Sequence, residues 1–224
     1  MNYIFLLMEV ITVFLLMIAF YKVGKKDGLY IYIGLISSIL SIILVGNIDI
    51  LSFQVSIGVP LIMGLFISSN IIIHRFGLDE VKRILYTFGV TYIFTFIIIC
   101  LASFLHLDEY IVSANSMFDF LFGYNLNNLR SFVGNLISIM VMISIGSGIY
   151  YSLRKNKNIL ILSNVVTAFV ISFIESLIFV LISYVGTFTA IELFGMVSIR
   201  YIFEVIIGII GLIPVYILVK FIDK

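Results

Sequence analysis

Charged residues are scarce in this sequence. They make up 11% of the 224 residues, while hydrophobic residues make up 62%; soluble domains average roughly 25% charged and 45–50% apolar residues. This scarcity excludes an ordinary soluble domain and predicts an integral membrane protein. The formal net charge is only +1, so the chain lacks a basic surface that could neutralise phosphates, and we expect no nucleic-acid partner.

Cysteine and the common catalytic motifs are also rare or absent. The single cysteine, Cys100, cannot form an internal disulfide. The two histidines, His74 and His106, lie in different segments, so we predict no metal site of the Cys/His type and no cofactor. The sequence has no Gly-x-x-x-x-Gly-Lys-Ser/Thr phosphate loop, no His-Glu-x-x-His and no Gly-x-Ser-x-Gly. We therefore predict that the protein is not an enzyme and has no catalytic residues.

Long apolar stretches are what the sequence has in abundance. A helix needs about 20 residues to cross ~30 Å of hydrocarbon. The first stretch lacks the basic start and the cleavage site of a signal peptide, so we expect it to be retained. We predict an all-α polytopic membrane helix bundle, a single integral membrane domain over residues 1–224, with seven transmembrane helices at 3–21, 28–46, 54–73, 84–106, 131–153, 159–186 and 201–219.

The basic residues between these stretches predict the orientation of the chain. Cytoplasmic loops of membrane proteins carry an excess of Lys and Arg. One set of predicted loops contains only Arg130 and Arg200, and the other contains Lys22, Lys25, Lys26, Arg75, Lys82, Arg83, Arg154, Lys155, Lys157, Lys220 and Lys224. We therefore expect a multi-pass protein of the cytoplasmic membrane, with the N-terminus outside and the C-terminus in the cytoplasm.

Two predicted outer segments are longer than the others. Residues 107–130 include the aromatic run 117–123, which predicts an interfacial helix, or alternatively a lid over a pocket. Residues 187–200 are also apolar and predict a short re-entrant or surface helix. We see no internal repeat of the inverted-transporter kind.

Glu175 lies near the middle of the sixth apolar stretch. A charge at the bilayer centre costs between ~2.5 and ~15 kcal/mol, so this side chain should face a protein interior or a watery cavity. The alternative is a structural carboxyl group, protonated or bonded to serine. Helical spacing places Glu175 on a small, polar face, opposite a bulky face. The polar face consists of Asn164, Ala168, Ser172, Glu175 and Ser176, and the bulky face of Val166, Phe169, Phe173, Ile178 and Val180.

Other polar residues lie within the predicted helices. Glu204 is a candidate ligand contact, and its alternative is an interfacial carboxylate that reaches water. Asn70 and His74, four residues apart, share a helix face; the alternative for His74 is an ordinary loop histidine. Asn135 and Asn164 need partners in lipid, and Pro214, with Gly208 and Gly211, predicts a kink near Ile210.

Three segments of the sequence resemble motifs of one transporter family. These are Ser69-Asn70-Ile71-Ile72-Ile73-His74-Arg75-Phe76-Gly77-Leu78-Asp79-Glu80-Val81-Lys82-Arg83, then Phe173-Ile174-Glu175-Ser176-Leu177-Ile178-Phe179, and Tyr201-Ile202-Phe203-Glu204 with Pro214-Val215-Tyr216. They are similar to motifs of the queuosine precursor transporter family. The resemblance covers residues 28–220, which implies a six-helix core over 28–224 and an additional helix and loop over 1–27.

The resemblance also implies a binding site and a substrate class. At the family's motif positions this chain has Asn70 for Asp, His74 for Glu, Ser172 for Gln, Glu175 for Asp and Glu204 for Lys. The family takes up 7-deazaguanine precursors of queuosine, so the resemblance implies uptake of a small, nucleobase-like solute, with Glu175 reading its edge. The inverted charge at Glu204 favours a more cationic ligand or a different proton route.

We therefore predict a membrane transporter whose partners are a small solute and the lipid bilayer. The predicted substrate-binding residues are Glu175, Asn70, Ser172, Glu204, His74 and Ser176. One alternative is the substrate-binding membrane subunit of an energy-coupling-factor-type vitamin transporter, which would need separate ATPase and coupling subunits. Another is a non-transporting membrane scaffold. The oligomeric state stays open, with a homodimer among the choices.

Overall fold

The computed structural model describes residues 2–43, 47–50, 53–102, 126–157 and 160–218. The predicted interfacial helix or lid at residues 107–130 lies almost entirely outside these residues. The described chain forms seven helices and one antiparallel strand pair. They are α1 (Asn2–Ile42), β1 (Asn47–Ile50), β2 (Phe53–Ser56), α2 (Val59–Phe76), α3 (Val81–Ala102), α4 (Leu126–Lys157), α5 (Leu160–Tyr184), α6 (Ala190–Ile210) and α7 (Leu212–Ile217), with a 3₁₀ turn at Leu78–Glu80 before α3.

Helix α1 is two antiparallel helices joined by a sharp turn. Its 41 residues would extend about 60 Å if straight, twice the thickness of the hydrocarbon. Lys25 interrupts the helix with φ 45° and ψ −114°, and a Cβ on Gly28 would collide with the carbonyl oxygen of Phe20. The two halves then pack together, and the Tyr32 hydroxyl donates to the Val13 carbonyl at 3.2 Å. The predicted first and second spans are therefore both present.

The helices form the predicted membrane bundle. Within the described residues, 6 helices are long and apolar enough to cross a membrane, and α1 crosses twice, which makes seven crossings. Helix α2 is the central one, since every residue from Val59 to Ile73 is buried, whereas α1 and α3 each expose one side. The outward faces of the surrounding helices carry large apolar side chains such as Phe5, Phe94 and Phe173. These findings confirm an all-α polytopic bundle as the main architecture.

A short β-hairpin between α1 and α2 was not predicted. Its strands pair in antiparallel register from Asn47 opposite Ser56 to Ile50 opposite Phe53. Both strands alternate polar and apolar residues, the period-two pattern of a half-buried strand. Val55 is buried with Leu6, and the partly buried Phe203 of α6 packs against them. The hairpin therefore packs on α6 next to the residues of that helix that form the site.

Helix α6 begins eleven residues earlier than the predicted last span. Thr189 and Glu192 form a reciprocal capping box that fixes its first turn. Residues 190–200, predicted as a separate re-entrant or surface helix, are instead the first half of this continuous helix. Arg200, predicted in a loop, consequently lies about 15 Å along the helix, at a rise of 1.5 Å per residue.

The predicted kink near Ile210 is present. Helix α6 ends at Ile210, and α7 starts beyond Gly211, with Pro214 in its first turn. A Cβ on Gly211 would collide with Ile67 of α2 and would lie 2.7 Å from Phe14 of α1. Glycine at this position therefore allows three helices to cross closely where the proline weakens the helix.

Candidate functional site

The face of α5 that was predicted to be polar lies inside the bundle. Asn164, Ala168, Ser172, Glu175 and Ser176 are all buried. On the opposite face Val166, Phe169 and Phe173 are exposed as predicted, and Ile178 is half-buried. Val180 of the same face is 1% exposed and packs in the cluster of Phe179 and Val197, so this bulky face serves both lipid contact and tight packing. Glu175 therefore avoids lipid, as the cost of a charge in hydrocarbon requires.

A buried arginine holds Glu175. Arg200 Nη2 donates to Glu175 Oε1 at 2.8 Å, and Arg200 Nε donates to Glu175 Oε2 at 3.0 Å. The same Nε donates to Glu204 Oε1 at 3.0 Å. Arg200 is 7% exposed and both carboxyl groups are 0% exposed. The bidentate geometry suits a guanidinium between two acidic groups in a dry interior.

Two neutral side chains of α4 complete this arrangement. Ser138 donates to Glu175 Oε1 at 2.7 Å, and Asn135 Oδ1 accepts from Arg200 Nη2 at 3.4 Å. We call Asn135, Ser138, Glu175, Arg200 and Glu204 the ionic cluster. Helical spacing produces it, because Asn135 and Ser138 are one turn apart on α4, and Arg200 and Glu204 are one turn apart on α6. Three helices, α4, α5 and α6, therefore converge on one buried guanidinium.

Aromatic residues close the cluster on two sides. The guanidinium carbon of Arg200 lies 3.8 Å from the centre of the Phe179 ring, a cation–π contact. On the α3 side, Tyr92 stacks on Phe132 at 4.9 Å between ring centres, and its hydroxyl donates to the Phe132 carbonyl at 3.4 Å. These rings exclude water from the ion pairs, which strengthens the electrostatic attraction.

Close packing of α4 against α5 depends on Gly134. A Cβ there would lie 2.5 Å from Ser183 Oγ and 3.3 Å from the Phe179 carbonyl oxygen. Only glycine lets the two backbones approach this closely. The approach keeps Asn135 and Ser138 within reach of Arg200 and Glu175.

Three polar atoms near the ion pairs are buried without a hydrogen-bond partner among the described residues. They are Ser172 Oγ, Ser176 Oγ and Glu204 Oε2. The Ser172 hydroxyl lies close to the Glu204 carboxyl group but forms no regular hydrogen bond with it. Leaving a buried polar group unsatisfied costs about 1–3 kcal/mol, and such groups in native structures often mark the place of a ligand or water. Within the part of the chain that the structure describes, Ser131, Ser147 and Ser183 also bury an unsatisfied hydroxyl oxygen, so what distinguishes this group is that it includes a carboxyl oxygen, Glu204 Oε2.

Asn70 and His74 lie in a second polar cluster. Asn70 Nδ2 donates to Asn164 Oδ1 at 3.0 Å, so the asparagine predicted to need a partner has one. The half-buried His74 meets the Tyr150 ring edge-on at 6.5 Å. Asn164 precedes Glu175 by eleven residues, about 16 Å along α5. The structure therefore brings Glu175, Glu204, Ser172 and Ser176 together and places Asn70 and His74 nearer the N-terminal end of α5.

Sequence reasoning missed two members of the ionic cluster, Arg200 and Ser138. Arg200 was assigned to a loop because an apolar stretch was expected to start after it. The Thr-Ala-Ile-Glu sequence at 189–192 is a capping-box pattern that could have placed the start of the helix earlier. The alternative interpretation of Glu204, an interfacial carboxylate that reaches water, is wrong, since its side chain is fully buried. Within the described ranges, no group of three or more His, Cys, Asp or Glu side chains could hold a metal ion.

Seven apolar helix crossings around a buried, incompletely satisfied polar centre define a multi-pass membrane protein. The family model described as "Putative vitamin uptake transporter" matches residues 56–219. The match spans most of the chain, so the protein belongs to this family of vitamin uptake transporters. The matched residues include the ionic cluster and the second polar cluster, whereas all of α1 lies outside them. No curated protein and no solved structure matches the chain.

Proposed function

We propose that the protein is a carrier that binds one small polar solute beside the ionic cluster and moves it across the cytoplasmic membrane. The observation that carries this proposal is that Ser172 Oγ, Ser176 Oγ and Glu204 Oε2 are buried and have no hydrogen-bond partner in the part of the chain that the structure describes. A solute with N–H and C=O groups on one edge would satisfy all three. Such an edge would recover the cost of burying these atoms and would thereby gain affinity.

Within this site the two glutamates have different roles. Both oxygens of Glu175 already accept hydrogen bonds from Arg200, and one of them also accepts from Ser138. We therefore assign Glu175 to the positioning of Arg200, and Glu204, Ser172 and Ser176 to solute contact. This differs from the expectation that Glu175 itself reads the edge of the solute. Asn70 and His74 of α2 would line the route rather than the site, because Asn70 bonds to Asn164, which lies about 16 Å from Glu175 along α5.

The finer substrate assignment rests on the resemblance to the queuosine precursor transporters. A 7-deazaguanine presents adjacent N–H donors on its Watson–Crick edge. The Glu204 carboxylate can accept hydrogen bonds from these donors, and the neighbouring serine hydroxyls can donate to a carbonyl oxygen on the same edge. The acidic Glu204 also favours a cationic substituent on that solute. The Lys and Arg distribution of the sequence supports an N-terminus outside the cell and a C-terminus in the cytoplasm.

A second candidate function is a substrate-binding subunit of an energy-coupling-factor-type vitamin transporter. The family description, which names vitamin uptake, favours it, as does the absence of a phosphate-binding loop from the sequence. Uptake into liposomes that contain this chain alone separates the two functions. A carrier transports without other proteins, whereas a capture subunit binds the solute and does not transport it until ATPase and coupling subunits are added.

Thermal stabilisation of the purified protein tests the binding site. A ligand that binds only the folded state adds about 2.7 kcal/mol to the free energy of unfolding at 100 times its Kd. The melting temperature rises accordingly. We expect a 7-deazaguanine, from a panel with purines and vitamins, to give the largest shift, and the shift to fall in Ser176→Ala. The matched control is Ser144→Ala on α4, whose exposed hydroxyl donates to the Met140 carbonyl.

Two results would argue against the proposal. A panel in which no compound shifts the melting temperature would remove the binding function and favour a membrane scaffold. An equal loss of the shift in Ser176→Ala and Ser144→Ala would place the solute elsewhere. If only an unrelated vitamin stabilises the protein, the carrier function stays and the deazaguanine class does not.

A further inference from the structure

The ionic cluster contains one more acidic group than basic groups. Glu175 and Glu204 are both fully buried, and Arg200 is the cation that bridges them. Among the residues that the structure describes, the other groups facing them are neutral: Asn135 and Ser138 from α4, Ser172 and Tyr184 from α5, and Tyr92 from α3. An uncompensated buried charge is strongly unfavourable, so the cluster needs one further positive charge to be stable.

The contact between the two carboxyl groups indicates what this charge is. Glu175 Oε2 and Glu204 Oε1 both accept from the same Arg200 Nε, each at 3.0 Å, so the two carboxyl groups lie side by side. Two ionised carboxylates have only acceptor atoms and cannot form a hydrogen bond. Two neighbouring ionised carboxylates also repel each other, and closely spaced carboxyl pairs in proteins can share one proton. A proton therefore satisfies both the charge count and the contact.

The donors around each carboxyl group decide which one holds the proton. Glu175 accepts three hydrogen bonds, two from Arg200 and one from Ser138, which stabilise its ionised form. Glu204 accepts one, from Arg200 to Oε1, and its Oε2 has no donor among the described residues. A proton on Oε2 turns an unsatisfied acceptor into a donor that lies beside the Ser172 hydroxyl and the Glu175 carboxylate.

We propose that Glu204 is a proton-binding site of the carrier, occupied on Oε2 while the solute site is empty. On solute binding, a cationic N–H group replaces this proton: Glu204 loses H⁺ to water and accepts a hydrogen bond from the solute, so the charge of the cluster stays balanced. This exchange rests on the proposed carrier function, whereas the protonation of Glu204 does not. Sodium fits less well, because it would need several oxygen ligands next to the Arg200 guanidinium.

Infrared spectroscopy of the solute-free protein in lipid nanodiscs tests the protonation. A protonated carboxyl group gives a carbonyl stretching band that shifts in heavy water and weakens as pH rises. We expect this band in the wild-type protein near neutral pH and its loss in Glu204→Gln. Glu9→Gln is the matched control, because Glu9 is another membrane-embedded glutamate, half-buried in α1, and the band that depends on Glu204 should remain.

Two serine variants identify the residue that holds the proton, even if Glu204→Gln does not fold. Ser172→Ala should shift the frequency of the band, because that hydroxyl lies beside Glu204. Ser138→Ala should not, because its hydroxyl donates to the ionised Glu175. A band that shifts only in Ser138→Ala, or no such band in wild type, would overturn the proposal. Since no solute is present, neither outcome depends on whether the protein is a carrier.

Release of the proton on solute binding is measured separately. Addition of a cationic 7-deazaguanine derivative to weakly buffered wild-type protein should release about one proton per bound molecule, read with a pH-indicator dye. Glu204→Gln should release none. If wild-type protein binds the compound and releases no proton, the exchange step is wrong, although the infrared result would still assign the proton.

Discussion

Replacing Arg200 by glutamine should destabilise the protein more than any other single change to a polar residue of the bundle. The substitution removes four hydrogen bonds donated by the guanidinium, three to the glutamates at 2.8, 3.0 and 3.0 Å and one to Asn135 at 3.4 Å. Glu175 then keeps only its bond from Ser138. Removing one partner of a buried ion pair costs about 3–5 kcal/mol, because the remaining charge is left without compensation.

The predicted magnitude is measured by chemical denaturation in detergent micelles and by the melting temperature. Arg130→Gln is the matched control, because Arg130 is a half-buried arginine whose hydrogen bonds to Thr187 and to the Val185 carbonyl are exposed. Exposed polar contacts contribute roughly 0–1 kcal/mol, so this control should change stability little. The loss in Arg200→Gln should also shrink as the pH is lowered, since protonation of Glu175 removes the unpaired charge.

A double variant distinguishes loss of the ion pair from loss of packing. In Arg200→Gln with Glu175→Gln, no unpaired charge remains if Glu204 is protonated, so more than half of the lost stability should return. Additive losses in the double variant would refute this reasoning, because they would mean that the two residues act independently. A single-variant loss below about 1 kcal/mol would show that the guanidinium is not a buried partner of the carboxylates.

Two further predictions concern packing and the turn inside α1. Gly134→Ala should cost about 1–3 kcal/mol of stability by forcing α4 away from Ser183 and Phe179. Gly148→Ala on the same helix, where a Cβ meets nothing within 4 Å, should be neutral or slightly stabilising. Equal melting temperatures of the two variants would contradict the close contact at Gly134. Glu80→Ala removes hydrogen bonds from Lys26 at 2.7 Å and from Tyr30 at 2.5 Å, and it should lower stability by about 1 kcal/mol, less at high salt. The adjacent exposed Asp79→Ala is its control, and a salt-independent or equal effect in the two variants would argue against this tie between α1 and α3.

The membrane architecture could be read from composition and apolar length because the bilayer imposes those properties directly. Hydrocarbon tolerates few charges and demands helices of about 20 residues, so the spans were predicted to within a few residues at most ends. The starts of α2 and α6 differ more from the prediction, and at both places a local sequence pattern accounts for the difference. The period-two pattern at residues 47–56 forms a β-hairpin, and the capping box at Thr189 starts α6 early.

The polar face of α5 was also determined by the sequence, since helical periodicity places Ser172, Glu175 and Ser176 together whatever surrounds them. Their partners were not. Arg200 is distant in sequence, and it meets Glu175 only because α5 and α6 pack side by side with the capping box setting the helix start. Which carboxyl group is satisfied and which oxygen is left over depends on the placement of individual donors in three helices, and only the tertiary structure decides that.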